Sequence, residues 1–392
     1  MTSPGSASGQ STRTVRLDPV EVDPRAGLPV GTALLRVTRD RADGEEVFAL
    51  SGSCCCHQLA YTAPRRHGRP GKLRLGDLIS MEAGGESPAN TLVRMRNWSN
   101  TKEELIRWIG ALRCTHADDL RLVVWDDTDF EIPWELLWIP AVPETAAGEG
   151  WLGSTVTMTR WTTIRSVYPV GNGLSASGQC VGGVLAYVGN AQMSGDLDVL
   201  KQFGPQVPAS LRDLLLVLEQ PGARVALVYV ACHGEHGSSG FRFKLDGVSL
   251  GEIGARSFQR IAESGALVFI NACHSARLID DPEYNDDTLR GFAEAFLRSG
   301  ASGFVGTSGA VGEDSAREIV RGLLERLHRE PDVPVAVALR DYRRGKSVAY
   351  VPPADDTAEA RRLLSFFHTF MYVYFGNPST TLQLVNSGGA TP

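Results

Sequence analysis

Two short apolar segments, each followed by a reactive side chain, constrain the fold of this chain more than any other feature. The first covers residues 224–231 and precedes His233, and the second covers residues 266–271 and precedes Cys273. Both are too short to cross a membrane and are typical of strands buried on both faces of a parallel sheet. Ligands of open α/β sheets bind just beyond the carboxyl ends of the strands. The pattern therefore predicts that His233 and Cys273 lie side by side in one crevice.

Beyond about residue 180, apolar strand segments alternate with amphipathic helical segments. The further strands are predicted at residues 181–188, 303–306 and 370–375. The helices are predicted at residues 207–219, 250–263, 288–299, 313–328 and 334–344. This alternation predicts an α/β fold with a mostly parallel sheet that is flanked by helices on both faces.

The first half of the chain has a different, mixed pattern. Strands are predicted at residues 32–38, 46–50 and 120–125, and Thr101 and Glu104 form the capping-box signature of a helix that begins at Thr101. We accordingly divide the chain into four parts: a disordered N-terminal tail at residues 1–28, a mixed α+β region at residues 29–170 that packs on or leads into the core, the core itself at residues 171–380, and a C-terminal tail at residues 381–392.

Composition and charge exclude several classes of function. The net charge of the 392 residues is −6 and no run is rich in Lys or Arg, which argues against direct contact with nucleic acid. No stretch approaches the ~18 apolar residues of a membrane span, and the first residues lack the basic and apolar regions of a signal peptide. Seven cysteines without a framework pattern favour reduced thiols. We expect a cytoplasmic protein.

The residues at the two strand ends have complementary chemistry. A thiol attacks a carbonyl carbon as the thiolate, and a neighbouring imidazole can form that thiolate and later protonate the leaving group. The backbone amides of Gly234 and Cys273 are candidate donors for the oxyanion. His274 and Cys232 are poor partners for Cys273 and His233, because adjacent side chains of an extended chain point to opposite faces. The alternative is that both residues are merely buried or solvated strand ends.

Six segments, spread over residues 120–380, resemble the blocks of the CHAT family. They are Ile132–Leu137, His233–Gly234, Asn271–Ser275, Gly291–Thr307, Pro334–Arg340 and Phe375–Pro378. CHAT proteins are caspase-like cysteine proteases of the same clan as separases, caspases and gingipains. The resemblance implies a caspase-like catalytic core in which His233 is general base and acid, Cys273 is the nucleophile, and the amides of Gly234 and Cys273 form the oxyanion hole.

The region after residue 306 departs from the family pattern. CHAT proteins and separases commonly have a Trp followed by acidic residues here, whereas Gly309 stands where the Trp would be. In separases an acidic residue of this region contacts a basic P1 residue, which makes Glu313 and Asp314 candidates for substrate binding. The alternative is that these two acids only complement the dipole of the predicted helix 313–328.

Two further clusters have competing interpretations. Asp280 and Asp281 open an acidic stretch at residues 280–287. It is a wall of the substrate groove, a loop whose cleavage or movement activates the enzyme, or a solvated loop that caps the next helix. Residues 54–57 read Cys-Cys-Cys-His and, with Cys114 and His116, invite a zinc site. Three consecutive cysteines of an extended chain cannot all point inward, so we expect incidental thiols, no metal and no cofactor.

These patterns lead to one functional prediction and two alternatives. We expect a cysteine endopeptidase that cuts a specific protein, a regulated effector of a bacterial defence or cell-death system that a protein partner activates in trans. The first alternative is a catalytically silent caspase-like fold that acts as a scaffold or binds partners. The second is a thiol hydrolase or transferase that acts on small molecules in a closed pocket.

Overall fold

A computed structural model gives the fold of the chain. It describes residues 20–21, 30–56, 59–63, 66–68, 88–143, 148–166, 178–189, 192–237, 239–281, 288–347 and 357–385. The predicted tail at residues 1–28 lies outside this range except for Val20 and Glu21, which pair with Arg165 and Ser166.

The strands of the first half are β1 Val20–Glu21, β2 Thr32–Ala42, β3 Glu45–Cys54, β4 Tyr61–Thr62, β5 His67–Gly68, β6 Arg121–Asp126, β7 Trp138–Ile139, β8 Gly150–Trp151, β9 Thr157–Trp161 and β10 Arg165–Ser166. Those of the second half are β11 Gln179–Val188, β12 Val225–Ala231, β13 Gly234–Glu235, β14 Lys244–Leu245, β15 Val248–Ser249, β16 Leu267–Asn271, β17 Gly303–Thr307, β18 Tyr372–Gly376 and β19 Thr381–Leu384.

The helices are α1 Pro88–Asn100, α2 Glu103–His116, α3 Leu152–Thr155, α4 Gly195–Leu200, α5 Leu211–Glu219, α6 Leu250–Gly254, α7 Gln259–Ser264, α8 Phe292–Arg298, α9 Glu313–Arg329, α10 Val335–Lys346 and α11 Thr357–Met371. Short 3₁₀ turns occur at Ala117–Asp119, Trp134–Leu136, Gln192–Ser194 and Lys201–Phe203. Among the described helices, none has the length and apolar composition needed to cross a membrane.

One large sheet contains strands from both halves of the chain. Its order is β19-β11-β12-β16-β17-β18-β9-β6-β2-β3-β4, and β5 also pairs with β3. The strands from β19 to β17 are parallel, as are β18, β9, β6 and β2, whereas β18 is antiparallel to β17 and β3 is antiparallel to β2. The predicted mostly parallel sheet is confirmed.

Helices cover both faces of the sheet where its strands come from the second half of the chain. The core on one face contains apolar side chains of α5, α6, α7 and α8, and the core on the other face contains those of α4, α9 and α10. All residues of β12 and β16 are buried, as expected for strands that are covered on both faces. The prediction of helices on both faces is thus confirmed as well.

The first half extends the same sheet. Its core is formed where α2 packs on β2, β3 and β6, and α1 packs with α11 and the indoles of Trp138 and Trp151. The junction between the halves is the parallel pair β18–β9, in which Phe375 faces Arg160. The predicted boundary near residue 170 lies outside the described residues, and the division into a front region and a core stays a prediction.

Several helix boundaries differ from the expected ones. The segment 250–263 forms two short helices, because α6 ends at Gly254 and α7 begins only at Gln259. Helix α2 begins at Glu103, and the Thr101 hydroxyl donates to the Trp98 carbonyl (2.7 Å). The predicted capping box at Thr101 is therefore wrong: its hydroxyl closes the end of the preceding helix.

The end of the chain also differs from the expectation. Helix α11 was not predicted, and it extends to Met371, so that β18 begins at Tyr372. Residues 381–384 form β19, which pairs with β11 at the edge of the sheet. This pairing gives residues of the predicted C-terminal tail a place in the sheet; residues 386–392 lie outside the described range.

A buried ion pair lies near the junction of the two halves. The Arg160 Nε donates to the Glu135 carboxylate (2.9 Å); Glu135 is buried, and the Arg160 side chain is 12% exposed. Arg160 also donates to the Ile132 carbonyl (3.0 Å). The Arg160 charge keeps the pKa of Glu135 below its ordinary value in spite of burial, which by itself would raise it. This ion pair ties the segment 132–137 to β9.

Glu135→Gln should lower the free energy of unfolding by about 3–5 kcal/mol, because it leaves the Arg160 guanidinium buried without its counterion. Glu103→Gln is the matched control, since the exposed Glu103–Arg107 pair has the same chemistry in water and should contribute less than about 1 kcal/mol. Urea unfolding of the two variants measures the difference. Equal stability of both variants would contradict this role of the pair.

Candidate active site

The register of the sheet places the two strand-end residues together. Strands β12 and β16 are parallel neighbours, and Ala231 is paired with Asn271. His233 and Cys273 each follow two residues later, at the same edge of the sheet. The expected juxtaposition therefore follows directly from strand pairing.

Both residues line one groove of about 220 Å³. His233 is exposed and Cys273 is half-buried. The other lining residues are Met193, Asp196, Cys232, Asn271, Ala272, Thr307, Val311, Gly312, Glu313, Ala316 and Arg317. The groove thus lies between the carboxyl ends of β12, β16 and β17 and the first turn of α9.

Gly234 packs directly against the backbone of the cysteine. A Cβ atom at this position would lie 2.1 Å from the Cys273 carbonyl oxygen and 3.2 Å from the Cys273 amide nitrogen. Only glycine permits this approach without displacing the backbone. The absence of a side chain at Gly234 therefore allows the two strand ends to contact each other.

The turn after β16 is held by bonds to β17 and the loop that follows it. His274 has a left-handed backbone with φ of 63°, and its amide donates to the Gly309 carbonyl (3.1 Å). The Thr307 hydroxyl donates to the Ala272 carbonyl (2.6 Å), and the Ser275 hydroxyl donates to the Ile270 carbonyl (3.0 Å). These bonds fix the backbone on both sides of Cys273.

A buried polar network supports the floor of the groove. The Asp196 carboxylate accepts from the Tyr229 hydroxyl (2.6 Å) and from the Asn271 side-chain amide (2.8 Å), and the Tyr372 hydroxyl donates to the Asn271 side-chain oxygen (2.6 Å). Burial raises the pKa of both tyrosines, so they remain neutral donors. Sequence reasoning missed Asp196, because no local motif distinguishes it.

Cys232, which precedes His233, and His274, which follows Cys273, have surroundings that differ from those of the proposed pair. Burial raises the pKa of the Cys232 thiol well above its usual range, which disfavours a thiolate there. The His274 ring lies near the His236 ring, with centroids 5.6 Å apart, and its Nδ1 is 3.3 Å from the Arg277 guanidinium.

The four acidic residues predicted for substrate binding occupy different environments. Glu313 lines the groove, whereas Asp314 is exposed and lies 3.6 Å from Arg317. Asp280 pairs with Arg39 (2.6 Å) in a separate depression. Asp281 is buried, and its carboxylate accepts from the Gly240 amide (2.6 Å). The structure does not bring Asp280 and Asp281 to the groove of His233 and Cys273, because both are bound to other parts of the fold.

A second ion pair connects the first half of the chain to the turn that carries the cysteine. The Arg277 Nε donates to the Glu131 carboxylate (2.6 Å), and the Arg277 side chain is buried. Glu131 itself has a left-handed backbone with φ of 53°. The segment before Pro133 thus contacts a residue only four positions after Cys273.

Comparison with known proteins finds a family model that matches the segment with these features. Residues 187–349 match the model of the CHAT domain, and this segment contains both His233 and Cys273. Residues 187–349 are therefore similar to a CHAT domain, as the sequence motifs predicted. No curated protein matches the sequence.

Solved structures include similar folds. The separase of the Saccharomyces cerevisiae separase–securin complex aligns with a TM-score of 0.42 and 16% identity over 71% of this chain and 17% of the separase chain. The Arg-specific cysteine proteinase gingipain R aligns with a TM-score of 0.43 and 11% identity over 72% of this chain and 69% of the gingipain chain. This chain thus spans less than a fifth of the separase.

Gly234→Ala should displace the Cys273 backbone and lower any activity of the groove by about 100-fold, the typical cost of misplacing reacting groups by about 1 Å. Gly110→Ala is the control, because an added Cβ meets nothing within 4 Å there. Turnover of a cleaved substrate is the measurement. Full activity of Gly234→Ala would show that the contact has no role.

We expect His368 to lower the free energy of unfolding in mild acid. This residue is buried beside the Ser315 hydroxyl (2.9 Å) near the start of α9. Burial lowers its pKa to about 4 from 6.5, so between these values the unfolded chain binds a proton that the folded chain does not. Wild type should lose about 2 kcal/mol more than His368→Gln between pH 7 and pH 5. Urea unfolding of both proteins at both pH values tests this. Equal losses of stability in wild type and His368→Gln would contradict it.

Proposed function

We propose that this protein is a cysteine endopeptidase in which His233 is the general base and acid and Cys273 is the nucleophile. The observation that carries the proposal is that both residues follow paired positions of adjacent parallel strands and line the same groove. The match to the CHAT domain over residues 187–349 supports it.

The proposed reaction has two steps. His233 takes the thiol proton, the Cys273 sulfur bonds to the carbonyl carbon of the scissile peptide, and the C–N bond breaks as His233 protonates the leaving amine. His233 then takes a proton from water, whose oxygen attacks the acyl-enzyme, and the carboxylic product leaves as the thiol forms again. Neither step requires a metal or a cofactor.

The amides of Gly234 and Cys273 are the proposed oxyanion donors. Gly234 lies opposite Leu245 in the antiparallel pair β13–β14, and the Asp246 amide donates to the His233 carbonyl (3.0 Å). Since bonded and non-bonded pairs alternate along such a ladder, this bond favours a Gly234 amide that points away from β14. The close contact of Gly234 with the Cys273 backbone supports a shared role for the two amides.

Glu313 is the residue we propose for substrate specificity. It is the one of the four predicted acids that lines the groove, and a carboxylate there favours a basic side chain at P1. Arg317 lies in the same wall and competes for this charge. Asp314 remains a weaker candidate because it is exposed and adjacent to Arg317.

We further propose that the enzyme is a cytoplasmic effector of a bacterial defence or cell-death system, activated by a protein partner in trans. The family resemblance of the motifs supports this role. The Glu131–Arg277 contact offers a physical route, because a partner that moves the segment before Pro133 would also move the turn after Cys273. The effector itself would not contact nucleic acid.

Wild-type protein should create new protein N-termini in a cell lysate, whereas Cys273→Ala and His233→Ala should create none. Cys114→Ser, which removes an exposed thiol far from the groove in sequence, should behave as wild type. Proteome-wide N-terminal labelling measures this and reads the P1 residue directly. Lys or Arg at P1 would support Glu313, and an apolar P1 would exclude it.

Identical N-termini from wild type and Cys273→Ala would show that another residue is the nucleophile. If no variant cleaves, the labelling is repeated with candidate activating proteins. If wild type still creates no new N-termini in their presence, the alternative is favoured: a caspase-like scaffold that binds partners without cutting them.

A further inference from the structure

Three cysteines and one histidine meet in the first half of the chain, far in sequence from the proposed catalytic pair. Cys54 is the last residue of β3 and is buried, and Cys55 and Cys56 follow in a turn. His116 is the last residue of α2. Strand β3 and helix α2 belong to the same packed core, which brings together side chains 62 positions apart.

The distances between their ligand atoms match those of a compact metal site. The Cys54 Sγ lies 3.0 Å from the His116 Nε2, 3.9 Å from the Cys55 Sγ and 3.2 Å from the Cys56 Sγ. The ligand atoms of Cys54, Cys55 and His116 all lie within 4.8 Å of one another. A tetrahedron with zinc–sulfur bonds of about 2.3 Å has edges of about 3.8 Å, so small side-chain rotations suffice to reach it.

We propose that Cys54, Cys55 and His116 bind a Zn²⁺ ion and that Cys56 supplies the fourth ligand. Three thiolates and one imidazole are a known set for structural zinc, and soft sulfur ligands favour zinc over the hard cations Mg²⁺ and Ca²⁺. Cys55, Cys56 and His116 are half-buried, which leaves the ion a path from solvent.

This proposal reverses the expectation drawn from the sequence. That expectation assumed the alternation of an extended strand, in which consecutive side chains point to opposite faces. Strand β3 ends at Cys54, however, and the next two cysteines lie in a turn, where alternation does not apply. Cys114 is exposed and outside the group, and His57, which follows the cysteines, lies outside the described residues.

The ion would join the end of β3 to the end of α2. It would close a long loop of chain, so that its binding free energy adds to the stability of this half of the protein. The site is structural in character, because its four ligands would leave no coordination position for a substrate.

The test is the metal content of the full-length chain after expression with zinc and purification under reducing conditions. We expect about one zinc per chain in wild type. The control Cys114→Ser should bind the same amount, since Cys114 lies on the same helix as His116, two positions before it, but is outside the proposed site. His116→Ala and Cys54→Ser should each bind zinc at least tenfold more weakly in competition with a chelator. Circular dichroism would verify that each variant is folded.

Cobalt substitution provides a second readout on unmodified protein. One equivalent of Co²⁺ added to the zinc-free chain should produce the visible bands of a tetrahedral site and the near-ultraviolet band of thiolate ligation. Cys56→Ser should weaken the near-ultraviolet band if Cys56 is the fourth ligand. Absence of zinc and of these bands in reduced wild type would overturn the proposal, as would a disulfide between these cysteines or equal zinc in His116→Ala.

Discussion

Strands β12 and β16 run parallel in the interior of the large sheet, and every residue in both is buried. Apolar contacts on two faces hold their register, since a shift by one residue would turn each strand's side chains to the opposite faces. The pairing of Ala231 with Asn271 in this register fixes where the chain leaves each strand. The relation of His233 to Cys273 thus depends on hydrophobic burial several residues away.

Polar interactions then fix the backbone of the turn around Cys273 and the floor of the groove. The bonds from Thr307 and Ser275 hold the turn on both sides of Cys273, and the Asp196 carboxylate organises the residues beneath it. These groups are enclosed, and unpaired polar groups are costly in such surroundings. The network therefore rigidifies the groove floor, and α9 supplies the opposite wall.

Ion pairs hold both Glu131 and Glu135 in the segment that precedes and follows Pro133. Glu135 pairs with Arg160 beside the β18–β9 junction, and Glu131 pairs with Arg277 in the turn after the cysteine. Breaking an enclosed ion pair is expensive, whereas shifting both partners together is not. The Glu131–Arg277 pair is thus a contact between the first half and the turn after Cys273.

The amino-acid sequence determined the strands that precede His233 and Cys273, because burial on two faces requires a short continuous apolar run that can be read locally. It likewise indicated α9 by its apolar stripe. It did not indicate α11, because the apolar residues Phe370 and Met371 at the end of this helix continue without a break into β18, so that periodicity has no boundary to mark.

Only the tertiary structure decided which distant side chains meet. Asp280 binds Arg39, Asp281 binds the Gly240 amide, and Asp196 lines the groove. His116 lies beside Cys54 and Cys55, about sixty positions earlier in the chain. A local pattern reports how strongly a segment must be buried. The partner of a polar group depends instead on which surfaces the packed elements bring within bonding distance, and no single segment carries that information.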